Sequence, residues 1–342
     1  MERLLLQHLR KLPAILSAAT LCMVALLLLS CGGGTSGPGT TLSVSPLNAC
    51  GEAGTDAECH TITVGGLARA YLLHVPANFQ SGSSALVVGL HGSQGSGALF
   101  RQTSQLNTKA DQVGFAIAYP YSLVSPGAGF AEWNEFFNNS FGANPPDDAE
   151  FIRQLILAIQ ASIHPDPKKI YVTGLSNGGF MAHRVGIQVS DLVAAIAVVE
   201  GTAVSPGQIQ NAPVPLAPVS VLIFHGDQDP TVLYCGAANV ASQEETFNYW
   251  IAAAADNCST VDNAAPLCDA QRNITAVSEK HASGCSGNTE VQFYKLEGGV
   301  HQWYNVPMNV SGQVPFNPAF NSSTGLATDE IIWNFFAAHP KP

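Results

Sequence analysis

The sequence predicts an α/β fold in one domain, with a mostly parallel central sheet and helices on both faces. Three observations predict it: short unbroken apolar runs of strand length, helical periodicities between them, and Gly-, Pro- and Asn-rich connections after several runs. The first strand, 69–75, alternates. It is followed by apolar runs at 85–90, 115–119, 169–173, 193–199, 219–224 and 291–296. Unbroken runs of this kind suit strands buried on both faces, as in a parallel sheet. A helix is expected over 147–163, where Phe151, Ile152, Leu155, Ile156 and Ile159 recur at helical spacing. Asp147 and Asp148 follow two prolines and open that segment. They read as N-terminal capping acids rather than a catalytic pair for glycoside hydrolysis. Further helices are expected over 178–189, 243–254 and 328–339, and long connections over 120–146 and 304–325. Loops of that length in a compact domain usually carry function.

One turn carries chemistry. Gly174-Leu175-Ser176-Asn177-Gly178-Gly179 lies between a strand and a helix, the setting that a G-x-S-x-G nucleophile turn requires. A serine hydroxyl is a weak nucleophile until a base removes its proton, and that base must itself be oriented by an acid. Downstream, the run 219–224 leads into His225-Gly226-Asp227-Gln228-Asp229-Pro230, where Asp229 is the expected acid and Asp227 its rival. The run 291–296 leads into Gly298-Gly299-Val300-His301-Gln302-Trp303, and His301 is the expected general base. His281 and His339 lack such a setting. An oxyanion hole needs two backbone N–H donors, expected from Asn177 and from Ser93 in the loop after 85–90. His91 and His225, each followed by Gly, read as structural. Trp133 and Trp303 are the expected substrate-binding aromatics, with Phe136, Phe137 and Tyr304 as further candidates for the same platform.

Taken in order, His91-Gly92, Tyr119-Pro120, Trp133-Asn134, Asp147-Asp148 with Phe151-Ile152, Tyr171 through Gly179, His225-Gly226 with Asp229, and His301 with Trp303 form a pattern. It resembles the esterase family of feruloyl esterases, acetyl xylan esterases and polyhydroxybutyrate depolymerase-like proteins, over roughly residues 50–339. The resemblance implies an α/β-hydrolase fold and carboxylic-ester hydrolysis without a cofactor. Two departures, Glu135-Phe136-Phe137-Asn138 after Trp133 and Val300 before His301, fall near the expected acyl pocket and leave the substrate open.

Composition bounds the rest. With 46% hydrophobic and 11% charged residues, the chain can bury a sizeable core. Its net charge of −11 argues against a nucleic-acid partner, which would need clustered Lys and Arg. Arg3, Arg10 and Lys11 precede the apolar stretch 21–29, which ends Leu28-Leu29-Ser30-Cys31-Gly32. This resembles a bacterial lipobox. Residues 1–30 are therefore read as a signal peptide, Cys31 as the lipidation site, 31–45 as a flexible tether and 46–342 as the catalytic domain. The expected address is extracytoplasmic, lipid-anchored to a membrane, with the outer membrane or cell surface favoured. An uncleaved transmembrane anchor is the alternative, although the apolar run is short for a span of about 20 residues.

Of the eight cysteines, Cys22 falls in the signal segment and Cys31 is the lipid site; the six that remain in an exported chain suggest three disulfides. The sequence leaves the pairing open; the set expected is Cys50–Cys59, Cys235–Cys268 and Cys258–Cys285. Neither C-x-x-C nor H-E-x-x-H occurs, so no metal is expected. The favoured substrate is a feruloyl or acetyl ester on a plant polysaccharide. The competing readings are depolymerisation of a polyhydroxyalkanoate or other polyester by the same residues and, from another class, a non-catalytic surface-binding lipoprotein.

Overall fold

The computed structural model describes residues 58–135, 140–203, 214–238, 240–252, 256–304 and 328–342. The expected signal peptide, tether and lipid site Cys31 lie outside the described residues, as do Cys50, Phe136, Phe137 and most of the 304–325 connection.

In chain order the elements are β1 (Cys59–Val64), β2 (Leu67–His74), β3 (Leu86–Leu90), α1 (Gly97–Ser104), α2 (Leu106–Val113), β4 (Ala116–Pro120), β5 (Leu123–Val124) and β6 (Ala131–Glu132). There follow α3 (Asp148–Ile163), β7 (Ile170–Leu175), α4 (Asn177–Gln188), β8 (Ala195–Val199), β9 (Ser220–Gly226), α5 (Gln243–Ala252), β10 (Thr260–Asp262), β11 (Glu279–Ser283), β12 (Val291–Leu296) and α6 (Thr328–Ala338). Ten strands form one sheet in the order β1-β2-β4-β3-β7-β8-β9-β12-β11-β10, and β5 pairs with β6 apart from it. The six central strands, β4, β3, β7, β8, β9 and β12, all run parallel. Antiparallel pairs close both edges.

Side-chain alternation splits the core into two layers. Leu86, Val88 and Leu90 of β3, Ile196 and Val198 of β8, and Val221 and Ile223 of β9 face α3, α4 and α5. The intervening Val87, Ala195, Ala197, Val199, Leu222 and Phe224 face α1, α2 and α6 through Phe100, Ala110, Phe335 and Phe336. The expected parallel sheet covered on both faces is the observed one. The sequence reading passes over β1 and β10, which form the two edges, and β11 beside β10; all three carry exposed polar residues. It also passes over α1 and α2. These helices have eight residues each and are separated by Gln105 at φ 55°, so neither presents a sustained apolar stripe.

The two aspartates that open α3 differ in role. Asp147 is the N-cap, its side chain accepting from the Glu150 N–H at 3.1 Å. Asp148 does not cap. It is fully buried against Arg69 of β2 at 2.7 Å, and its second oxygen accepts from the Asn134 N–H at 2.8 Å. The Arg69 guanidinium lies 3.9 Å above the Phe151 ring, so the ion pair joins β2, the loop before α3 and α3 itself. Removing one partner of such a pair costs about 3–5 kcal/mol, because the other is left buried and charged.

Cys235–Cys268 and Cys258–Cys285 are disulfides, as expected, and span 33 and 27 residues. They clip the poorly structured stretch around β10 back onto the body, each contributing about 3 kcal/mol by loop closure. Cys59 is disulfide-bonded as well, and its expected partner Cys50 lies outside the described residues.

Asp256 follows α5 and is wholly buried, with one carboxyl oxygen accepting from the Val219 N–H at 3.0 Å. Burial pushes its pKa up to about 7. Because the folded value exceeds the unfolded one, this proton stabilises the fold fully at low pH, and the contribution is lost as pH rises toward about 7. Asp256→Asn is therefore expected to gain thermal stability relative to wild type between pH 5 and pH 8. Melting curves of both proteins at the two pH values test this; a difference that stays constant with pH would count against it.

Candidate active site

Parallel strands bring their C-terminal ends to one sheet edge. The loops after β3, β7, β8, β9 and β12 therefore gather there. Between β7 and α4, Ser176 turns the chain at φ 57° and ψ −124°, a left-handed conformation that costs a non-glycine residue about 1–3 kcal/mol. Its N–H donates to the Val199 carbonyl at 2.9 Å and its carbonyl accepts from Phe180 at 2.9 Å, which hold the turn. Gly178 makes the close packing possible. A Cβ there would sit 2.2 Å from the Leu90 carbonyl oxygen, inside the adjacent strand.

The structure brings Ser176, His301 and Asp229 together. Ser176 Oγ lies 2.8 Å from His301 Nε2, and His301 Nδ1 lies 2.7 Å from Asp229 Oδ2. A carboxylate only accepts, so His301 carries its proton on Nδ1 and presents the Nε2 lone pair to the serine hydroxyl. Asp229 is fixed in turn, its Oδ1 accepting from the N–H groups of Thr231 at 2.7 Å and Val232 at 3.0 Å. Burial works to raise its pKa, but the bonds from His301 and from Glu200 outweigh burial and hold it below the usual carboxylate range. Asp227 goes elsewhere. It accepts from the Gly298 N–H at 2.6 Å and so ties the loop after β9 to the loop that bears His301.

Ser93 is exposed beside the serine, and Asn177 opens α4, where the first N–H groups have no acceptor within the helix. The Asn177 side chain is occupied: its oxygen accepts from Trp133 N at 2.6 Å and its amide donates to Trp133 O at 3.3 Å. Trp133 itself corrects an expectation. Its ring is fully buried, packs 6.5 Å from Phe151 and donates from Nε1 to the His91 carbonyl at 2.8 Å. It braces the loop that carries Ser93 and does not line the cleft. Trp303 does line it, with Ser93, Leu99, Phe100, Thr103 and Leu175, in a cleft of about 510 Å³. The Trp303 and Phe100 rings meet edge to face at 5.1 Å. Tyr304 points away from this cleft and donates to Glu200 at 2.8 Å.

His91 and His225 are buried and neutral. Burial lowers each to about 4. His91 donates from Nδ1 to Gly92 O at 2.8 Å and accepts the Ser122 N–H at 3.1 Å. His225 donates from Nε2 to Val232 O at 2.7 Å and accepts from Gln243 at 2.9 Å. Glu200, His225 and Asp229 place donor atoms within 4.8 Å of one another, a spacing compatible with a small cation. Their atoms are already engaged, however, and Asp229 is committed to His301. Glu200 is the residue the sequence reading missed. Its signal was there: a lone acid directly after the buried run of β8, at the strand end where functional side chains collect.

A parallel sheet with a serine turn at its C-terminal edge defines the α/β-hydrolase class. The chain belongs to the Esterase PHB depolymerase family, whose profile matches residues 69–267. It is 27% identical over 295 residues to NocK of Nocardia uniformis subsp. tsuyamanensis, a protein named as an esterase, covering 80% of each chain. It is 24% identical over 252 residues to feruloyl esterase B of Piromyces equi, covering 68% of this chain and 42% of that protein's length. The crystal structure of a thermostable esterase shares the fold, with TM-score 0.51 and 16% identity over 83% of this chain and 63% of that one. The protein is a carboxylic-ester hydrolase.

Trp133→Phe removes the indole N–H together with part of the ring volume, leaving the buried His91 carbonyl without its donor beside a small cavity. A loss of about 1–3 kcal/mol is expected in denaturant unfolding, with the fold retained. An unchanged unfolding midpoint would mean that the indole bond does not brace the loop.

Proposed function

We propose that the protein is an exported serine esterase that works through an acyl-enzyme on Ser176, with His301 as general base and Asp229 as its orienting acid. The observation that carries this reading is the continuous relay Ser176–His301–Asp229, with links of 2.8 and 2.7 Å. As Ser176 Oγ bonds to the ester carbonyl carbon, its proton passes to His301 Nε2. Asp229 stabilises the resulting imidazolium, and the Ser93 and Asn177 N–H groups bind the oxyanion. Collapse breaks the ester C–O bond, and the alcohol leaves with the proton from His301. Water then repeats the sequence: it gives a proton to His301 as its oxygen adds to the acyl carbon, and the acid departs as Ser176 regains its hydrogen.

The favoured substrate is a feruloyl or acetyl ester on plant polysaccharide. The aromatic wall formed by Phe100 and Trp303 beside the serine supports an aromatic acyl group, as does the likeness to a protein named feruloyl esterase B. Polyester depolymerisation is the second reading. It is favoured by exposed apolar Leu99 on the cleft rim, 49% accessible, against which an apolar polymer could lie. Export as a lipoprotein anchored through Cys31 is supported by the lipobox-like sequence and by disulfides, which persist in oxidising compartments.

Ser176→Ala is expected to abolish hydrolysis, by a factor on the order of 10⁶ in kcat, and to abolish labelling by a fluorophosphonate probe. Peptide mapping of the wild-type label onto any other residue, or no label at all, would sink the reading; the latter outcome would favour a binding lipoprotein. Asp229→Asn is expected to cost about 10⁴-fold, and Asp227→Asn far less. Rate measurements that find equal losses would unseat Asp229.

Trp303→Ala is expected to weaken turnover of hydroxycinnamoyl esters more than acetyl esters. Equal losses across an ester panel would make Trp303 a packing residue. Hydroxyalkanoate film in the same panel separates the polyester reading. Cys31→Ser is expected to move the enzyme from the membrane to the soluble fraction with its rate intact.

A further inference from the structure

Glu200 follows β8 at φ 53°, and its side chain is completely buried. Strand β8 neighbours β9, so the two strand ends set Glu200 beside Asp229. Among the described residues, the polar groups facing this pair are few. His225 at the end of β9 lies 3.4 Å from Glu200 and 3.6 Å from Asp229. Gly226 donates its N–H to both Glu200 oxygens at 3.1 Å. After β12, the Tyr304 hydroxyl bonds Glu200 at 2.8 Å and also the carbonyl of Val300, the residue before His301. His301 reaches the pair only through Asp229.

Among the described residues, none of the groups touching Glu200 supplies a positive charge. His225 uses its Nε2 proton on Val232 O and accepts from Gln243 at Nδ1, which makes it the neutral tautomer. Two buried carboxyls with oxygens within 4.8 Å of one another, and no cation between them among the described residues, resist ionising together. The donors decide which keeps the proton. Asp229 already accepts from two backbone N–H groups and from His301, while Glu200 accepts from one backbone N–H and a phenol shared with Val300.

We propose that Glu200 is a positioning residue that stays protonated at neutral pH and donates its proton to Asp229, holding that carboxylate charged and aimed at His301. Burial and the adjacent Asp229 both raise Glu200 well above the ordinary carboxylate range, in agreement with the geometry. Glu200 never touches substrate. It acts through Asp229, and through Tyr304 on the backbone of the His301 loop. The inference rests on the Ser176–His301–Asp229 reading for its effect on rate, but the protonation itself stands on the buried pair alone.

Glu200→Gln replaces a neutral carboxylic acid by a neutral amide of the same shape, which can donate to Asp229 and accept from Gly226. Its kcat at pH 7 is expected to stay within about threefold of wild type, whereas Glu200→Ala is expected to lose about 10- to 100-fold with little change in KM. Wild-type activity and melting temperature are both expected to decline at alkaline pH, as Glu200 ionises against Asp229. The sign follows from a folded pKa above the unfolded one: stability is complete at low pH and is lost as the folded value is crossed. Glu200→Gln is expected to lack that alkaline loss.

Infrared difference spectra give a readout independent of turnover. Wild type at pH 7 is expected to show a protonated-carboxyl band that disappears in Glu200→Gln and survives in Asp256→Asn. A Glu200→Gln loss as large as that of Glu200→Ala, an alkaline decline equal to wild type, or an unchanged infrared band would overturn the proposal. Should Glu200→Ala fail to fold, the Glu200→Gln rate, pH profile and spectrum still decide it. If Ser176→Ala stays active while the band behaves as expected, the triad reading fails and the shared proton remains.

Discussion

Six strands run parallel through the centre of this molecule, buried on both faces, and that constraint decides where chemistry can occur. Their polar backbone groups are satisfied by one another, and their side chains are spent on two apolar layers. Only the ends remain for polar work. At the C-terminal edge, five neighbouring strands release loops that contribute Ser93, Ser176, Glu200, Asp229 and His301. Residues 208 positions apart in the chain are brought to one place because the sheet fixes the separation of its strand ends. No such convergence is available at the edges, where the sheet turns antiparallel.

Holding the loops at that edge takes several unlike interactions, each suited to its place. Backbone strain at Ser176 is opposed by bonds to Val199 and Phe180 and by the close packing of Gly178 on β3. The loop with Ser93 is braced from behind by the Trp133 indole, and the Trp133 backbone is clasped by the Asn177 side chain. Glycine is needed again where Gly226 meets Gly299: a Cβ on Gly226 would fall 2.3 Å from the Gly299 carbonyl oxygen. That approach lets Asp227 reach the Gly298 N–H and locks the acid-bearing and base-bearing loops together. Asp227 and Asp229 sit two residues apart, yet one closes a loop junction and the other contacts the imidazole.

The legible part of the sequence was the part governed by short periods and local turns. Central strands announce themselves as unbroken apolar runs, and β12 has the bounds expected from its run. The serine turn, the Gly-Gly pair before His301 and two disulfide pairings were also readable. What escaped depends on contacts between distant segments. Trp133 has the composition of a binding aromatic, and only its fully buried position, with its N–H on His91, makes it a brace. Asp148 looks like a cap until Arg69, 79 residues earlier, is seen beside it. Glu200 carries no motif at all; its meaning comes from the strand next to it. Tyr304, expected on an aromatic platform, is turned inward by the same acid.

Three histidines stand at the functional edge, and their hydrogen bonds separate them more sharply than their positions do. His91 directly follows buried β3, His225 lies at the end of buried β9, and each precedes glycine. Each has both ring nitrogens committed to protein partners, and burial keeps each neutral down to about pH 4. A ring so saturated has no lone pair to offer. His301 differs in two respects: its side chain is 20% exposed, and its Nε2 meets only a hydroxyl. A hydroxyl can give up a proton, which a backbone N–H or an amide cannot do on the timescale of turnover. The acid behind His301 completes the distinction, because in the proposed mechanism an ionised Asp229 stabilises an imidazolium that neither His91 nor His225 could form in its neutral, enclosed site. The same burial that silences two histidines is outweighed at Asp229 by His301, by two backbone N–H groups and, in the proposal above, by the proton that Glu200 keeps. The proposed base and acid are thus the groups left with a partner able to change charge.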